Sequence, residues 1–251
     1  MTETKPRLYN DLAWIWPLWG SPDDEYHDWC DHIGILMQQF TRRPLRTILD
    51  MGCGGGKNVF NLKRSFEVTG IDISESMLQL ARRLNPDCRF HLADMRTMNL
   101  ECRFDAILID DAIAYMTTLD ELSSVFQTAN RHLQPGGVMI VSPDVTRESF
   151  IQNRTETWCS SKPELPDQAE IVFIENSYDP DPSDRVFEAT FVYLIREQGR
   201  LRIETDRHTL GLFNREDWRE VLRRIGFDLH EEIYAGHPSN EPVFVCVKPT
   251  E

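Results

Sequence analysis

The stretch Ile48-Leu49-Asp50-Met51-Gly52-Cys53-Gly54-Gly55-Gly56 decides the fold. An apolar run, Thr47 to Leu49, enters an acid and then glycines at 52, 54 and 56. A turn from strand to helix needs backbone angles that glycine adopts cheaply, and no side chain where a ligand touches the main chain. Twenty residues past Gly52, the run Val68-Thr69-Gly70-Ile71-Asp72 ends in a second acid. A strand, a glycine turn, a helix and an acid at the next strand tip make a nucleoside-binding half-site.

The spacing is Gly-x-Gly-x-Gly, and Lys57 and Asn58 stand where a dinucleotide fold continues its tighter phosphate turn. Asp50 at the mouth of the loop repels a pyrophosphate and attracts an ammonium. A ligand with adenosine and a free amino acid carries that ammonium. S-adenosylmethionine fits, and a nicotinamide dinucleotide fits poorly.

The 251 residues suffice for one large α/β domain, 1–251, with a full core. The formal charge of −14, from 27 basic and 41 acidic residues, argues against nucleic acid as a partner, since phosphate neutralisation needs basic surface. The six cysteines (30, 53, 88, 102, 159, 246) form no Cys-x-x-Cys pair, and the polar start, Met1 to Arg7, reads as neither signal peptide nor membrane span. A reducing cytoplasm and no membrane partner are expected. The seven histidines show no metal-ligand spacing, so no metal is expected.

Residues 8–40 read as helical, with Ile33, Leu36, Met37 and Phe40 at helical spacing behind an aromatic cluster of Tyr9, Trp14, Trp16, Trp19, Tyr26 and Trp29. Residues 1–40 are expected to form a helical lid, with Tyr9 and Trp16 lining a pocket. Strands at 47–50, 67–71, 88–92, 104–109 and 138–141 alternate with helices at about 57–65, 74–84 and 119–133, implying a parallel sheet covered on both faces. After a polar segment at 147–169, two-residue alternation marks strands at 171–178, 186–196 and 201–210. Residues 150–211 are therefore read as an antiparallel β insert over the active site. A helix from Arg215 to Ile225, stopped by Gly226, and strands near 228–234 and 242–248 close the chain.

Residues 47–142 resemble class I S-adenosylmethionine-dependent methyltransferases motif by motif. Ile48-Leu49-Asp50-x-Gly52-Cys53-Gly54-x-Gly56, Gly70-Ile71-Asp72-Ile73-Ser74, Asp94-Met95 and Leu133-x-Pro135-Gly136-Gly137 stand in family order and spacing. Tyr9, Tyr115-Met116, the β insert, and Asp206-Arg207-His208 before Gly211-Leu212-Phe213 resemble a subgroup that methylates small metabolites, amino-sugar N-methyltransferases included. The resemblance implies a Rossmann-like sheet, mostly parallel with an antiparallel last strand. It implies a small-molecule acceptor, with N-methylation slightly favoured over O-methylation. Its members often pair through the insert, which makes a homodimer an expected assembly.

The resemblance also assigns roles. Gly52, Cys53 and Gly54 approach the methionine part of the cofactor, and Asp50 takes its ammonium. Asp72 accepts from the ribose hydroxyls, Asp94 from the adenine amine, and the Met95 amide faces a ring nitrogen. Ile73 and Met77 sandwich the ring. Asp110 at the fourth strand end is a further cofactor contact, equally readable as a cap. Methyl transfer is an in-line displacement from an activated leaving group, so orientation is the main need; an amine must be neutral and a hydroxyl needs a base. The candidates for this work are Tyr115, His208 and Asp111. Alternation puts His208 on the strand face of Glu204 and Asp206.

Competing readings are a protein methyltransferase and a non-catalytic S-adenosylmethionine-binding module. A propylamine transferase or a nicotinamide dehydrogenase is disfavoured by Asp50 and by the glycine spacing respectively.

Overall fold

The computed structural model describes residues 6–160, 169–234, 236 and 241–250. Residues 1–5 of the expected lid and 161–168 of the expected insert lie outside them. Among the described residues, seven strands form one sheet and four form another.

The large sheet is built from β1 (Thr47–Met51), β2 (Glu67–Asp72), β3 (Arg89–Leu92), β4 (Phe104–Ile109), β5 (Leu133–Val141), β10 (Asp228–Ile233) and β11 (Pro242–Val247), in the order β10-β11-β5-β4-β1-β2-β3. Pairings among the first five strands are parallel. β11 runs antiparallel to both β5 and β10. This is the mostly parallel Rossmann-like sheet with an antiparallel last strand expected above.

Every residue of β4 is buried, because the sheet has a core on each face. Ile107 and Ile109 point into a core with Leu49, Met51, Phe126, Trp218 and Phe244. Ala106 and Leu108 point into the other, with Ile33, Met37, Ile48, Val59 and Val245. Each fully buried aliphatic side chain contributes about 1.5–3 kcal/mol.

Helices α1 (Pro22–Phe40), α2 (Lys57–Leu62), α3 (Glu75–Leu84), α4 (Leu119–His132) and α5 (Arg215–Ile225) cover the faces. Their ends follow local chemistry. The Ser74 and Thr118 hydroxyls accept from the Met77 and Glu121 amides. Asn214 and Asp217 form a capping box, and Gly226 ends α5 at φ +98.

The second sheet, β6 (Arg154–Ser160), β7 (Glu170–Tyr178), β8 (Val186–Glu197) and β9 (Arg200–Gly211), is antiparallel throughout. Its inner face, Phe173, Phe187, Ala189, Phe191, Tyr193 and Ile195, packs on Leu8, Leu12 and Ile15.

Two expectations are corrected. Residues 8–21 are not one helix with 22–40: short 3-10 turns at Arg7–Tyr9 and Ala13–Leu18 precede α1. Pro17 lacks the amide an α-helix needs, and Gly20 follows. The polar segment 147–169 contains strand β6, an edge strand exposed enough to show no apolar alternation.

Candidate active site

The glycine loop joins β1 to α2 at the C-terminal edge of the parallel strands. Gly52 holds φ +85, and a Cβ there would lie 2.3 Å from the Ala112 Cβ. Gly55 is pressed against the Trp16 indole, 2.5 Å from where a Cβ would stand. The loop is fixed from below by the Gly52 and Cys53 amides, which donate to the Ile71 carbonyl. Cys53 turns its sulfur into the core, so it meets the loop's upper side through backbone alone.

Asp50 is 1% exposed, and its Oδ2 has no hydrogen-bond partner. Burial, then Asp110, Asp72 and Asp111, raises its pKa well above the carboxylate range. A buried orphan carboxyl oxygen is costly unless a cation or donor meets it. The Asp72 carboxylate accepts from the Gly54 amide (2.8 Å) and the Ser74 amide (2.8 Å), which aims it beside the loop. Burial raises the Asp72 pKa against those donors. Ile73 next to it is 65% exposed, an apolar side chain held open to a planar ring. Met77 is fully buried in a small core with Ala13 and Leu80, packed by Tyr9 and Trp16, and its Cε comes within 3.5 Å of a Cβ placed on Gly54. Asp94 is engaged by Arg96, whose Nε and Nη2 donate to its carboxylate, and this holds its pKa down. The Met95 Cε lies 3.1 Å from a Cβ built on Gly52.

S-adenosylmethionine fits these residues. The orphaned Asp50 oxygen suits its ammonium, and the glycine cradle leaves room for its amino-acid part. Asp72 suits the ribose hydroxyls, and open Ile73 suits the adenine.

The N-terminal segment lies across this half-site. The Ser74 hydroxyl donates to the Tyr9 carbonyl. The Leu8 amide donates to Asp206 Oδ2 on β9 at 2.8 Å, and Arg7 pairs with Glu204 at 2.9 Å. The Trp16 Nε1 is buried without a partner, and the Lys57 ammonium, paired with Glu25, sits 5.2 Å from the Trp16 ring centroid.

Beyond the cofactor loop, the ends of β4 and β5 bring carboxyl groups together. Asp110 accepts from Trp29 Nε1 (3.0 Å) and Asn58 Nδ2 (2.9 Å), fastening α1 and α2 to the strand end. Burial, then Asp111, raises its pKa to about 8. Asp111 hydrogen-bonds Asp144, both at the exposed rim of the cluster, and desolvation by the surrounding protein and the field of Asp144 push the Asp111 pKa well up. Asp144 is raised to about 6, chiefly by desolvation from the protein packed around it.

Tyr115 ends a 3-10 turn, Asp111–Tyr115. Its Oη lies 2.5 Å from His208 Nδ1 and 3.1 Å from the Tyr9 Oη. His208 is 1% exposed, and its Nε2 lies 2.8 Å from Asp206 Oδ2. The structure thus brings Tyr115 and His208 together, with Asp111 on the same turn as Tyr115. Asp144 and Asp206 were not among the site residues read from the sequence. The available signals were an acid just after a β5 end, as at Asp110, and an Asp-x-His pair on one strand face.

Fold and site together define a class I S-adenosylmethionine-dependent methyltransferase. Residues 48–137 match the family model described as a methyltransferase domain, and the chain is an S-adenosylmethionine-dependent methyltransferase. It is 29% identical over 203 residues to the dTDP-3-amino-3,4,6-trideoxy-alpha-D-glucopyranose N,N-dimethyltransferase of Streptomyces venezuelae, covering 80% of this chain and 82% of that one. It is 28% identical over 225 residues to the dTDP-4-amino-2,3,4,6-tetradeoxy-D-glucose N,N-dimethyltransferase of Saccharopolyspora spinosa, covering 88% and 87%. The solved structure of Streptomyces venezuelae DesVI superposes with a TM-score of 0.81 at 25% identity, over 95% of this chain and 97% of that one. The sugar N-methyltransferase KedS8 from a Streptoalloteichus species superposes at 0.80 with 23% identity, over 99% and 96%, which speaks for the fold. No helix among the described residues is long and apolar enough to cross a membrane.

Proposed function

We propose that this enzyme transfers a methyl group to the amine of a small metabolite of the amino-sugar kind. The observation that carries this reading is the carboxyl cluster at the ends of β4 and β5, where Asp110 is buried and Asp111 and Asp144 are exposed beside it. Asp111 and Asp144 hydrogen-bond each other, and both are felt electrostatically by the Tyr9 hydroxyl. Acids clustered this closely favour a cationic guest over an anionic one. An amine arrives at neutral pH as an ammonium, and a sulfonium cofactor adds a second cation. The names of the relatives, sugar N,N-dimethyltransferases, agree with that chemistry.

S-adenosylmethionine supplies an electrophilic methyl on sulfonium when bound. Asp50 and Asp72 would hold its ammonium and ribose, Ile73 would border its adenine, and Asp94, Met95, Met77, Gly52, Cys53, Gly54 and Asp110 would shape the surrounding wall. Asp111 and Asp144 position the acceptor ammonium. Tyr115 and His208 receive the proton that must leave before nitrogen attacks. The N-terminal segment and the β6–β9 sheet act as covers that exclude water, which favours a small acceptor over a protein side chain. A cytoplasmic location rests on cysteine usage, and a homodimer on the family resemblance alone.

The test has two arms. Calorimetric titration with S-adenosylhomocysteine gives tight binding that Asp72→Ala weakens; absence of binding refutes the assignment. A metabolite screen for methyl transfer then finds acceptors among amino sugars and other small amines. Transfer confined to basic proteins overturns the small-molecule reading.

A further inference from the structure

Deepening the amine reading above, and resting on it, we infer that Asp206, His208, Tyr115 and Tyr9 form a proton wire, completed when the N-terminal segment docks, with Asp206 as its positioning residue. The four side chains come from three places: β9, the turn after β4, and the N-terminus. Three contacts link them in series: Asp206 Oδ2 to His208 Nε2 at 2.8 Å, His208 Nδ1 to Tyr115 Oη at 2.5 Å, and Tyr115 Oη to Tyr9 Oη at 3.1 Å.

The proton positions follow from what each atom can do. An ionised carboxylate only accepts, so the proton of neutral His208 sits on Nε2, facing Asp206. Nδ1 then carries the lone pair and accepts from the Tyr115 hydroxyl. Tyr115 has one proton and has spent it, so the Tyr9 hydroxyl donates to the Tyr115 oxygen. That leaves a lone pair on Tyr9 Oη directed away from the chain. The Tyr9 hydroxyl lies within the fields of Asp111, Asp72 and Asp144, between the cofactor loop and the strand ends.

The transfer balances. One N–H bond of the acceptor ammonium breaks, its electron pair stays on nitrogen, and the proton goes to Tyr9 Oη. The Tyr9 proton passes to Tyr115 Oη, and the Tyr115 proton passes to His208 Nδ1. The positive charge leaves the amine and ends as an imidazolium against the Asp206 carboxylate. The neutral amine then attacks the methyl carbon.

Asp206 has a second task. The same Oδ2 that orients His208 also takes the Leu8 amide, one residue before Tyr9. Arg207 N–H holds the other oxygen at 2.9 Å. Burial works against the charge on Asp206, but the hydrogen bonds from His208 and Leu8 hold its pKa below the usual range. One carboxylate therefore fixes the histidine tautomer and seats the segment that delivers the outer hydroxyl. The groups facing His208 are Asp206 on its own strand, Tyr115 from the turn, Tyr9 from the N-terminal segment, and the Phe191 ring from β8, edge-on at 4.3 Å. The Arg7–Glu204 pair lies further along β9. Tyr193 on β8 adds a phenol near Asp206.

The test reads tautomer and proton demand separately, on the full chain with S-adenosylhomocysteine bound. Nitrogen-15 spectra of labelled histidine show His208 protonated on Nε2, and Asp206→Asn disturbs that signature. For turnover, the acceptor is an amino sugar identified in the screen above. Tyr115→Phe and Asp206→Asn each lower kcat about a hundredfold at pH 7, in the range proton transfer contributes, with the acceptor KM changed far less. Both variants recover most of the loss above the pKa of the acceptor amine, where it is neutral in solution, and the wild type changes little over that range. Tyr115→Phe leaves the Asp206–Leu8 tie untouched, so its loss is not a folding defect. An Nδ1-protonated His208, or a Tyr115→Phe pH profile that matches the wild type, overturns the wire. An Nε2-protonated His208 in a protein that methylates only hydroxyl acceptors overturns the amine reading on its own.

Discussion

Replacing Asp110 by Asn changes the pH dependence of stability in a direction the structure dictates. Asp110 is buried at the end of β4, and its pKa in the folded protein is about 8, against roughly 3.9 for an unfolded aspartate. The folded state therefore binds a proton that the unfolded state has released. For a carboxyl group raised on folding, stability is highest at low pH, falls as pH rises from about 4, and levels off above about 8. Each pH unit inside that window costs about 1.4 kcal/mol. Between pH 5 and pH 8 the group thus removes about 4 kcal/mol from wild-type stability. Asparagine keeps an oxygen for the Trp29 and Asn58 donors and turns its NH2 toward Asp111, so packing and hydrogen bonds survive. Asp110→Asn should match the wild type near pH 5 and exceed it by about 4 kcal/mol near pH 8. In a chain of this length that is roughly 8–16 °C in Tm. Denaturant and thermal unfolding from pH 5 to 9, without ligand, give the comparison. Parallel pH curves for the two proteins would refute the claim that this proton is held by Asp110.

Three further outcomes concern the cofactor half-site. Asp72→Ala removes charge-assisted bonds to the ribose and the anchor of the Gly54 and Ser74 amides, and calorimetry should show S-adenosylhomocysteine binding weakened about 10–100-fold. Gly52→Ala forces a side chain to φ +85 and into the Ala112 Cβ, so binding should be lost and stability should fall by about 1–3 kcal/mol, both readable by thermal shift with and without ligand. Trp16→Ala uncovers Gly55 and the Lys57 ammonium, and should weaken S-adenosylhomocysteine by about tenfold, or 1.4 kcal/mol, measured by calorimetry.

The cofactor half-site was legible because its chemistry is local. Asp50, Gly52, Gly54 and Asp72 lie within one strand–turn–helix–strand unit, and the backbone itself makes most of the site. Spacing along the chain there is nearly spacing in three dimensions. The same locality made the parallel strands readable, since residues 106–109 of β4 and 138–141 of β5 are continuous apolar runs. Strand β6 was not readable because it lies on a sheet edge. Its Thr155 and Thr157 are exposed, and Trp158, although it lies against Phe173, is still 42% exposed, so no buried face imposes a period. The N-terminal turns were missed for another reason. The helical spacing of Ile33, Leu36, Met37 and Phe40 does not extend back over residues 8–21, where Pro17 and the contacts with the β6–β9 sheet decide the backbone.

The acceptor side is non-local, and that explains where inference from sequence stopped. Tyr9 and Tyr115 are separated by 106 residues, and Tyr115 and His208 by 93, yet their polar atoms meet within 3.1 Å. Nothing in the spacing of these residues encodes that meeting; it is set by three packing events. The β6–β9 sheet folds its aromatic face onto Leu8, Leu12 and Ile15, and the Asp111–Tyr115 turn carries Tyr115 off the end of β4. The Leu8 amide then finds Asp206. His208 is the instructive residue. Alternation correctly placed it on the face of Asp206, but the sequence could not say which way that face points. The inner direction, between sheet and N-terminal segment, turns an ordinary strand histidine into the meeting point of a carboxylate and two phenols. A site assembled this way depends on each packing event being complete. A cover that docks only loosely leaves the cofactor half-site formed but separates Tyr9 from Tyr115. Cofactor binding and acceptor proton transfer are therefore separable by mutation, the first through the glycine loop and the second through contacts as remote from it as Leu8 to Asp206.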